Sequence, residues 1–172
     1  YRSSRGLGDV YKRQEAVTAA VEMLEDEPLF NAGKGSVIGE DGTITMDASI
    51  MRGTDKAAGS VVNVTKLRHP IRAANQILQQ GWPVMLNSDA ADEFGISKGV
   101  EEVSQEWLIT ELRRSQWEQW KSSKSNPGAT DEDDSLLDHD LEERVKTEFS
   151  DEGMGTVGAC LLYTSPSPRD DR

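Results

Sequence analysis

The chain has 172 residues, 31 of them Asp or Glu against 19 Lys or Arg, for a formal net charge of −12. That sign argues against nucleic acid or an anionic membrane surface as a partner, and no apolar run approaches the ~18–20 residues of a membrane span. A hydrophobic fraction of 35% beside a charged fraction of 29% points to one globular core plus a solvated polar part. The single cysteine, Cys160, excludes a disulfide framework and a cysteine zinc site within one chain.

Both ends read as foreign. Asp9-Val10-Tyr11-Lys12-Arg13-Gln14 can be encoded by GAT GTG TAT AAG AGA CAG. The opposite strand, read in another frame with one further T, encodes Cys-Leu-Leu-Tyr-Thr-Ser, which is Cys160 to Ser165. One short DNA thus accounts for both hexapeptides, and it resembles the transposase end of a sequencing-library adapter. Residues 1–14 and 160–172 are therefore expected to be adapter-derived and are set aside in reading the fold. The N-terminus is polar and basic with no apolar segment behind it, so no signal peptide is read and a cytoplasmic location is expected.

Residues 15–27 read as an amphipathic helix, with Val17, Val21 and Leu24 at i, i+4 and i+7. Pro28 stops it. A loop with two glycines follows, Leu29-Phe30-Asn31-Ala32-Gly33-Lys34-Gly35-Ser36. Val37-Ile38 and Thr43-Ile44-Thr45-Met46 flank Gly39-Glu40-Asp41-Gly42 and predict a hairpin, with residues 47–51 continuing its second strand. Residues 57–64, rich in Ala, Gly and Val, predict a third strand. His69-Pro70 opens a helix with proline at its first position and Gly81 ends it. Pro83-Val84-Met85-Leu86 predicts a short strand, and residues 89–94 a short helix closed by Gly95. A longer polar helix is predicted over residues 104–124. Residues 125–152, with Asn126-Pro127-Gly128 and Asp131-Glu132-Asp133-Asp134, read as an acidic solvated linker. The order of elements predicts α/β or α+β layers containing an antiparallel hairpin, with residues 15–124 as the globular portion.

After the linker stands Gly153-Met154-Gly155-Thr156-Val157-Gly158-Ala159, with residues 153–159 read as a cleavage site running into a strand. A threonine with a free amine can be a nucleophile, because the amine serves as base for its own hydroxyl. Alone, Gly-Thr-Val is also an ordinary turn into a strand. Three blocks together carry more: Leu24-Glu25-Asp26-Glu27-Pro28-Leu29-Phe30-Asn31-Ala32-Gly33-Lys34-Gly35-Ser36, Met46-Asp47-Ala48-Ser49-Ile50-Met51 and Gly155-Thr156-Val157-Gly158-Ala159. In this order they resemble the plant-type L-asparaginase/isoaspartyl peptidase family of N-terminal-nucleophile hydrolases. The resemblance implies an αββα sandwich, here incomplete for want of the β subunit, made as a precursor that cuts itself between Gly155 and Thr156. It implies hydrolysis of asparagine and β-aspartyl dipeptides by Thr156, with Asn31 and Gly33 near the nucleophile. It implies no organic cofactor, an (αβ)2 assembly, and a structural sodium ion on the main-chain carbonyls of Leu24, Glu25, Glu27, Phe30, Ala32 and Lys34. Read without the resemblance, that segment is a helix C-terminus with a Gly-rich loop, and Asn31 a turn cap. The substrate-gripping residues of the family have no counterpart here, so the 172-residue polypeptide is expected to be inactive by itself.

Two alternatives stay open: a glycosylasparaginase-like amidase of the same fold, and a non-catalytic acidic α/β interaction module. Other patterns carry less. The acidic cluster Asp131–Asp134 with Asp138, His139 and Asp140 lacks the glycine and terminal glutamate of a calcium loop. Gly33-Lys34-Gly35-Ser36 lacks the spacing of a phosphate loop and follows a helix rather than a strand. Trp107, Trp117 and Trp120 are expected to pack their own helix.

Overall fold

A computed structural model describes residues 3–124 and 155–162, with side chains over 12–122 and 155–162. The expected linker, its acidic cluster and the tail beyond Leu162 lie outside the described residues. The elements are α1 (Ser3–Glu25), β1 (Met46–Arg52), β2 (Ala57–Val64), α2 (Pro70–Gln80), β3 (Met85–Asn87), α3 (Ser88–Ser97), α4 (Gln105–Leu108) and α5 (Glu111–Lys124). Among the described residues, no helix is long and apolar enough to cross a membrane.

One mixed sheet of order β1-β2-β3 organises the chain. β1 and β2 pair antiparallel, Ile50 opposite Gly59 and Met51 opposite Ala58, while β3 runs parallel to β2. The antiparallel connection is closed by Arg52, whose guanidinium donates to both oxygens of Asp55 at 2.6–3.0 Å. That bond, helped by the N–H of Ala57, pulls the Asp55 carboxyl down to about 2. α2 is the crossover between β2 and β3, since parallel strands cannot be joined by a tight hairpin. Its sequence signals work as written: Pro70 stands in the first turn, and Gly81 closes the helix in the left-handed region at φ +83°.

α2 buries Ile71, Ala74, Ile77 and Leu78 against one face of the sheet. It comes unusually close at Gly59, where a Cβ would lie 2.2 Å from the Ala74 carbonyl oxygen and 2.4 Å from the Leu78 nitrogen. The core continues through Ile44, Val61, Val64, Leu67 and Leu108, all fully enclosed. α3 is fastened to the end of β2 by Asp92, a buried carboxylate that accepts from the N–H groups of Thr65 and Lys66 and from the Thr65 hydroxyl.

Four sequence expectations are corrected. α1 begins at Ser3 rather than at residue 15, one continuous helix across that boundary. The hairpin predicted around residues 39–42 is a turn without strands. Gly39 N–H donates to the Thr43 carbonyl, and Asp41 Oδ1 accepts from the Thr43 N–H and hydroxyl. Ile44 then turns to the Gln105 side chain, which accepts from its N–H and donates to its carbonyl and to that of Thr65. The paired strands are instead β1 and β2. α3 runs through Gly95 to Ser97, because Gly95 is where Leu67 packs against the helix. The long helix expected over residues 104–124 is broken at Ile109 and Thr110: Ile109 is extended, and the Thr110 hydroxyl accepts from the Arg113 N–H to start a new helix.

Candidate functional site

The loop after α1 folds back on the end of that helix. Lys34 N–H donates to the Glu25 carbonyl at 2.8 Å, and Gly33, at φ +52°, lies so close that a Cβ would sit 2.3 Å from the same oxygen. Only glycine supplies both the left-handed backbone and the missing side chain there. Asn31 Oδ1 accepts from the Val37 N–H at 2.9 Å, so the turn-capping reading of Asn31 holds. Its own backbone N–H does something further: it donates to the Gly155 carbonyl oxygen at 3.4 Å.

That bond brings the C-terminal segment to the loop. A cleft of about 1060 Å³ is lined by Thr156, Val157, Ala32, Gly33 and Glu25 together with Val17 and Val21 of α1. Along β1 it is lined from both sides of the sheet, by Ala48 and Ile50 on the side of α2 and by Ser49 and Met51 on the other. Thr156 is exposed within it and Val157 packs, half-buried, on the core. Asn31 and Gly155, 124 positions apart in sequence, therefore meet in space, and Gly33 and Thr156 line the same cleft. The strand expected after Thr156 is absent among the described residues: 155–162 lie without regular structure.

Glu25 forms a wall of the cleft and is itself buried, 3% exposed. Its Oε1 accepts from the Ile71 N–H at 3.1 Å, so it caps α2 from another helix, while Oε2 is buried with no partner. Burial, reinforced by the neighbouring charges of Glu22 and Asp26 and opposed by the Ile71 N–H, pushes the carboxyl up to about 8. Glu25→Ala is expected to cost about 2–4 kcal/mol, since it leaves a cavity and an unsatisfied buried N–H. Glu25→Gln keeps an oxygen for Ile71 without a charge and should stay within about 1 kcal/mol. Urea unfolding of the full-length protein separates the two; equal losses would show that the cap requires the carboxylate.

Beside the loop, Asp26 is paired with the Arg68 guanidinium at 3.0 Å and lies 3.1 Å from His69 Nε2. Its partial burial would raise the carboxyl, but Arg68 and His69 together hold it below the usual carboxylate range. Arg68 also pairs with Glu101 and lies over the Trp107 ring, which Lys34 of the loop approaches at 4.9 Å. Trp107 thus packs the loop rather than only its own helix, and Trp117 does the same, donating from Nε1 to the Gly39 carbonyl.

Of the six carbonyls expected to face a cation, those of Leu24, Glu25 and Glu27 each accept one backbone N–H, from Glu27, Lys34 and Phe30. Each keeps a second lone pair. The fold-back puts Glu25 against Gly33 and Lys34, and carbonyl oxygen is the donor type a hard cation takes. No group of three or more His, Cys, Asp or Glu side chains that could hold a metal occurs among the described residues.

Residues 5–165 match the protein family described as Asparaginase. The chain belongs to this asparaginase family. It is 40% identical over 151 residues to an isoaspartyl peptidase of Escherichia coli strain K12, covering 86% of this chain and 42% of that protein. It is 36% identical over 148 residues to a human isoaspartyl peptidase/L-asparaginase, again 86% of this chain and 42% of the relative. A plant-type L-asparaginase of Thermococcus kodakarensis is 40% identical over 116 residues, 67% of this chain and 37% of the relative. The asparaginase-family chain thus spans about two fifths of the length of the curated relatives it matches.

The side chains of Glu25, Gln105 and Arg113, which hold the loop, carry no motif in the sequence. The one local signal for the last was Thr110 three residues before it, the spacing of a helix N-cap.

Proposed function

We propose that this chain is the α portion of a self-cleaving amidohydrolase precursor that acts on L-asparagine and β-aspartyl dipeptides, with Thr156 as nucleophile. The observation that carries the reading is the meeting of Asn31 with Gly155 at 3.4 Å in a family whose relatives are named isoaspartyl peptidase and L-asparaginase. Those names favour this reading over a glycosylasparaginase-like amidase, and family membership favours it over a non-catalytic module.

In self-cleavage the Thr156 hydroxyl oxygen attacks the Gly155 carbonyl carbon. The C–N bond breaks, the hydroxyl proton passes to the departing nitrogen, and an ester remains. Water then splits the ester, leaving a carboxylate on Gly155 and a free amine and hydroxyl on Thr156. Before the cut the Thr156 nitrogen is an amide and cannot act as base. Afterwards an α-amine of ordinary pKa ~7.7–8.0 sits beside the hydroxyl, near the useful range for proton transfer at neutral pH. The amine takes the hydroxyl proton as the oxygen attacks the substrate's side-chain carbonyl. The leaving ammonia or peptide amine recovers that proton, and water releases aspartate from the Thr156 ester.

Residues 24–34 would hold a structural sodium ion through the carbonyls of Leu24, Glu25, Glu27, Phe30, Ala32 and Lys34, keeping the loop folded and supplying no step of the chemistry. A second sheet on the face turned away from α2 would complete an αββα sandwich, with the whole assembled as (αβ)2. By itself the 172-residue chain is expected to release no aspartate, because the residues that grip the substrate's α-carboxylate and α-amine are not assigned to any position in it.

The test is the intact mass of the precursor completed to the length of its relatives. Cleavage between Gly155 and Thr156, with aspartate release from asparagine and β-aspartyl-leucine appearing in step, supports the reading. A stable uncut chain with full activity sinks it.

A further inference from the structure

Among the described residues Arg113 is a buried cation with no carboxylate paired to it, 5% exposed. Its Nε donates to the Gly35 carbonyl at 2.6 Å and its Nη1 to Gln116 Oε1 at 3.1 Å, while Nη2 is buried with no partner. Burial lowers its pKa. A guanidinium removed from water without a counter-charge costs stability, so its presence calls for a compensating role.

What it grips is the middle of the site loop. Gly35 is held from both sides of the break between α4 and α5, its N–H donating to the Leu108 carbonyl at 3.0 Å and its carbonyl accepting from Arg113. Gly35 lies inside two nested closures, the Ser36 N–H to the Gly33 carbonyl at 3.3 Å and the Val37 N–H to Asn31 Oδ1 at 2.9 Å. The outer closure and the Gly155 contact share one residue, Asn31, whose Oδ1 accepts from Val37 and whose N–H meets the Gly155 carbonyl. A shift of Gly35 would therefore be passed to Asn31.

We propose that Arg113 is a positioning residue for self-cleavage: through Gly35 it holds the loop so that the Asn31 N–H polarises the Gly155 carbonyl as the Thr156 oxygen attacks. Negative charge grows on that carbonyl oxygen during attack, and a preorganised N–H stabilises it only if it already points there. The inference rests on the self-cleavage reading, with Asn31 touching the reacting carbonyl and Arg113 acting at a distance.

The test uses the full-length precursor and two readouts, the rate of appearance of the cut chain and amide hydrogen exchange at residues 31–37. Arg113→Ala is expected to slow cleavage tenfold to a hundredfold, as misplacement near a reacting centre does, and to speed exchange at Asn31 and Val37 while leaving α2 unchanged. Arg113→Lys keeps one donor for Gly35 and should restore cleavage to within about threefold. Ile77→Val, a core change in α2 that lowers stability away from the loop, should leave the cleavage rate alone. Wild-type cleavage and exchange in Arg113→Ala would overturn the proposal, as would equal slowing by Ile77→Val. If the wild-type precursor is never cut, the threonine reading falls on its own, and unchanged protection at Asn31 and Val37 in Arg113→Ala would overturn the positioning role as well.

Discussion

Thr156→Ala in the full-length precursor is expected to stay a single uncut chain, with aspartate release at least ~10⁴-fold below wild type, the scale on which loss of a covalent nucleophile falls. Two losses coincide in this variant. Alanine has no oxygen to attack the Gly155 carbonyl, so the amine is never freed. Even a chain cut by other means would lack the hydroxyl that carries the acyl group. Thr156→Ser separates them, since it keeps the oxygen and loses only a methyl. Serine should cut itself, more slowly, and retain measurable hydrolysis. Denaturing electrophoresis over time, followed by aspartate assay on the cut fraction, distinguishes the outcomes. Full cleavage of the alanine variant would remove Thr156 from the chemistry. The Asn31 contact should survive in that variant, because it is made by backbone atoms of Asn31 and Gly155.

The second large effect lies in the fold. Gly59→Ala is expected to destabilise the protein by roughly 3 kcal/mol or more, the upper range of single-residue effects. A methyl at Gly59 would meet backbone on both sides, the Ala74 carbonyl and the Leu78 nitrogen. Neither can rotate away as a side chain would. Relief requires α2 to lift from the sheet, and α2 carries Ile71, Ala74, Ile77 and Leu78 of the core. Gly53→Ala serves as control, since a Cβ at Gly53 meets nothing within 4 Å. Thermal unfolding of both variants decides it; similar midpoints would mean that α2 and β2 tolerate a wider separation than the packing indicates.

The parts of the fold that were legible are those whose cause is local. α2 starts where Pro70 can replace an unneeded N–H donor and stops where Gly81 can turn left-handed. β2 occupies residues 57–64, the span its Val and small residues indicated. The parts that were not legible have partners far along the chain. Asp41 and Gly42 do make the turn they signal, yet Ile44 finds its hydrogen bonds in Gln105, 61 residues on, so no local pattern could show that the flanking strands fail to pair. The same distance hid the side chain of Glu25, whose Ile71 partner belongs to another helix. At the candidate site, Thr156, Asn31 and Gly33 were found through block resemblance, because nothing in the spacing of residues 31 and 156 says that they meet. Arg113 is illegible for the opposite reason: an arginine on a polar helix has the pattern of solvent-facing charge, yet it is buried.

The indole of Trp107 ties together pieces of chain that have no strand or helix in common. Lys34 reaches it from the loop and Arg68 from the connection between β2 and α2, and Arg68 in turn binds Asp26 just past α1 and Glu101 ahead of α4. Loosening any one of these withdraws support from the others, so they belong to a single cooperative unit of opening. The loop that meets Gly155 is thereby tied to segments outside it, so weakening that shared joint is expected to loosen the loop along with them.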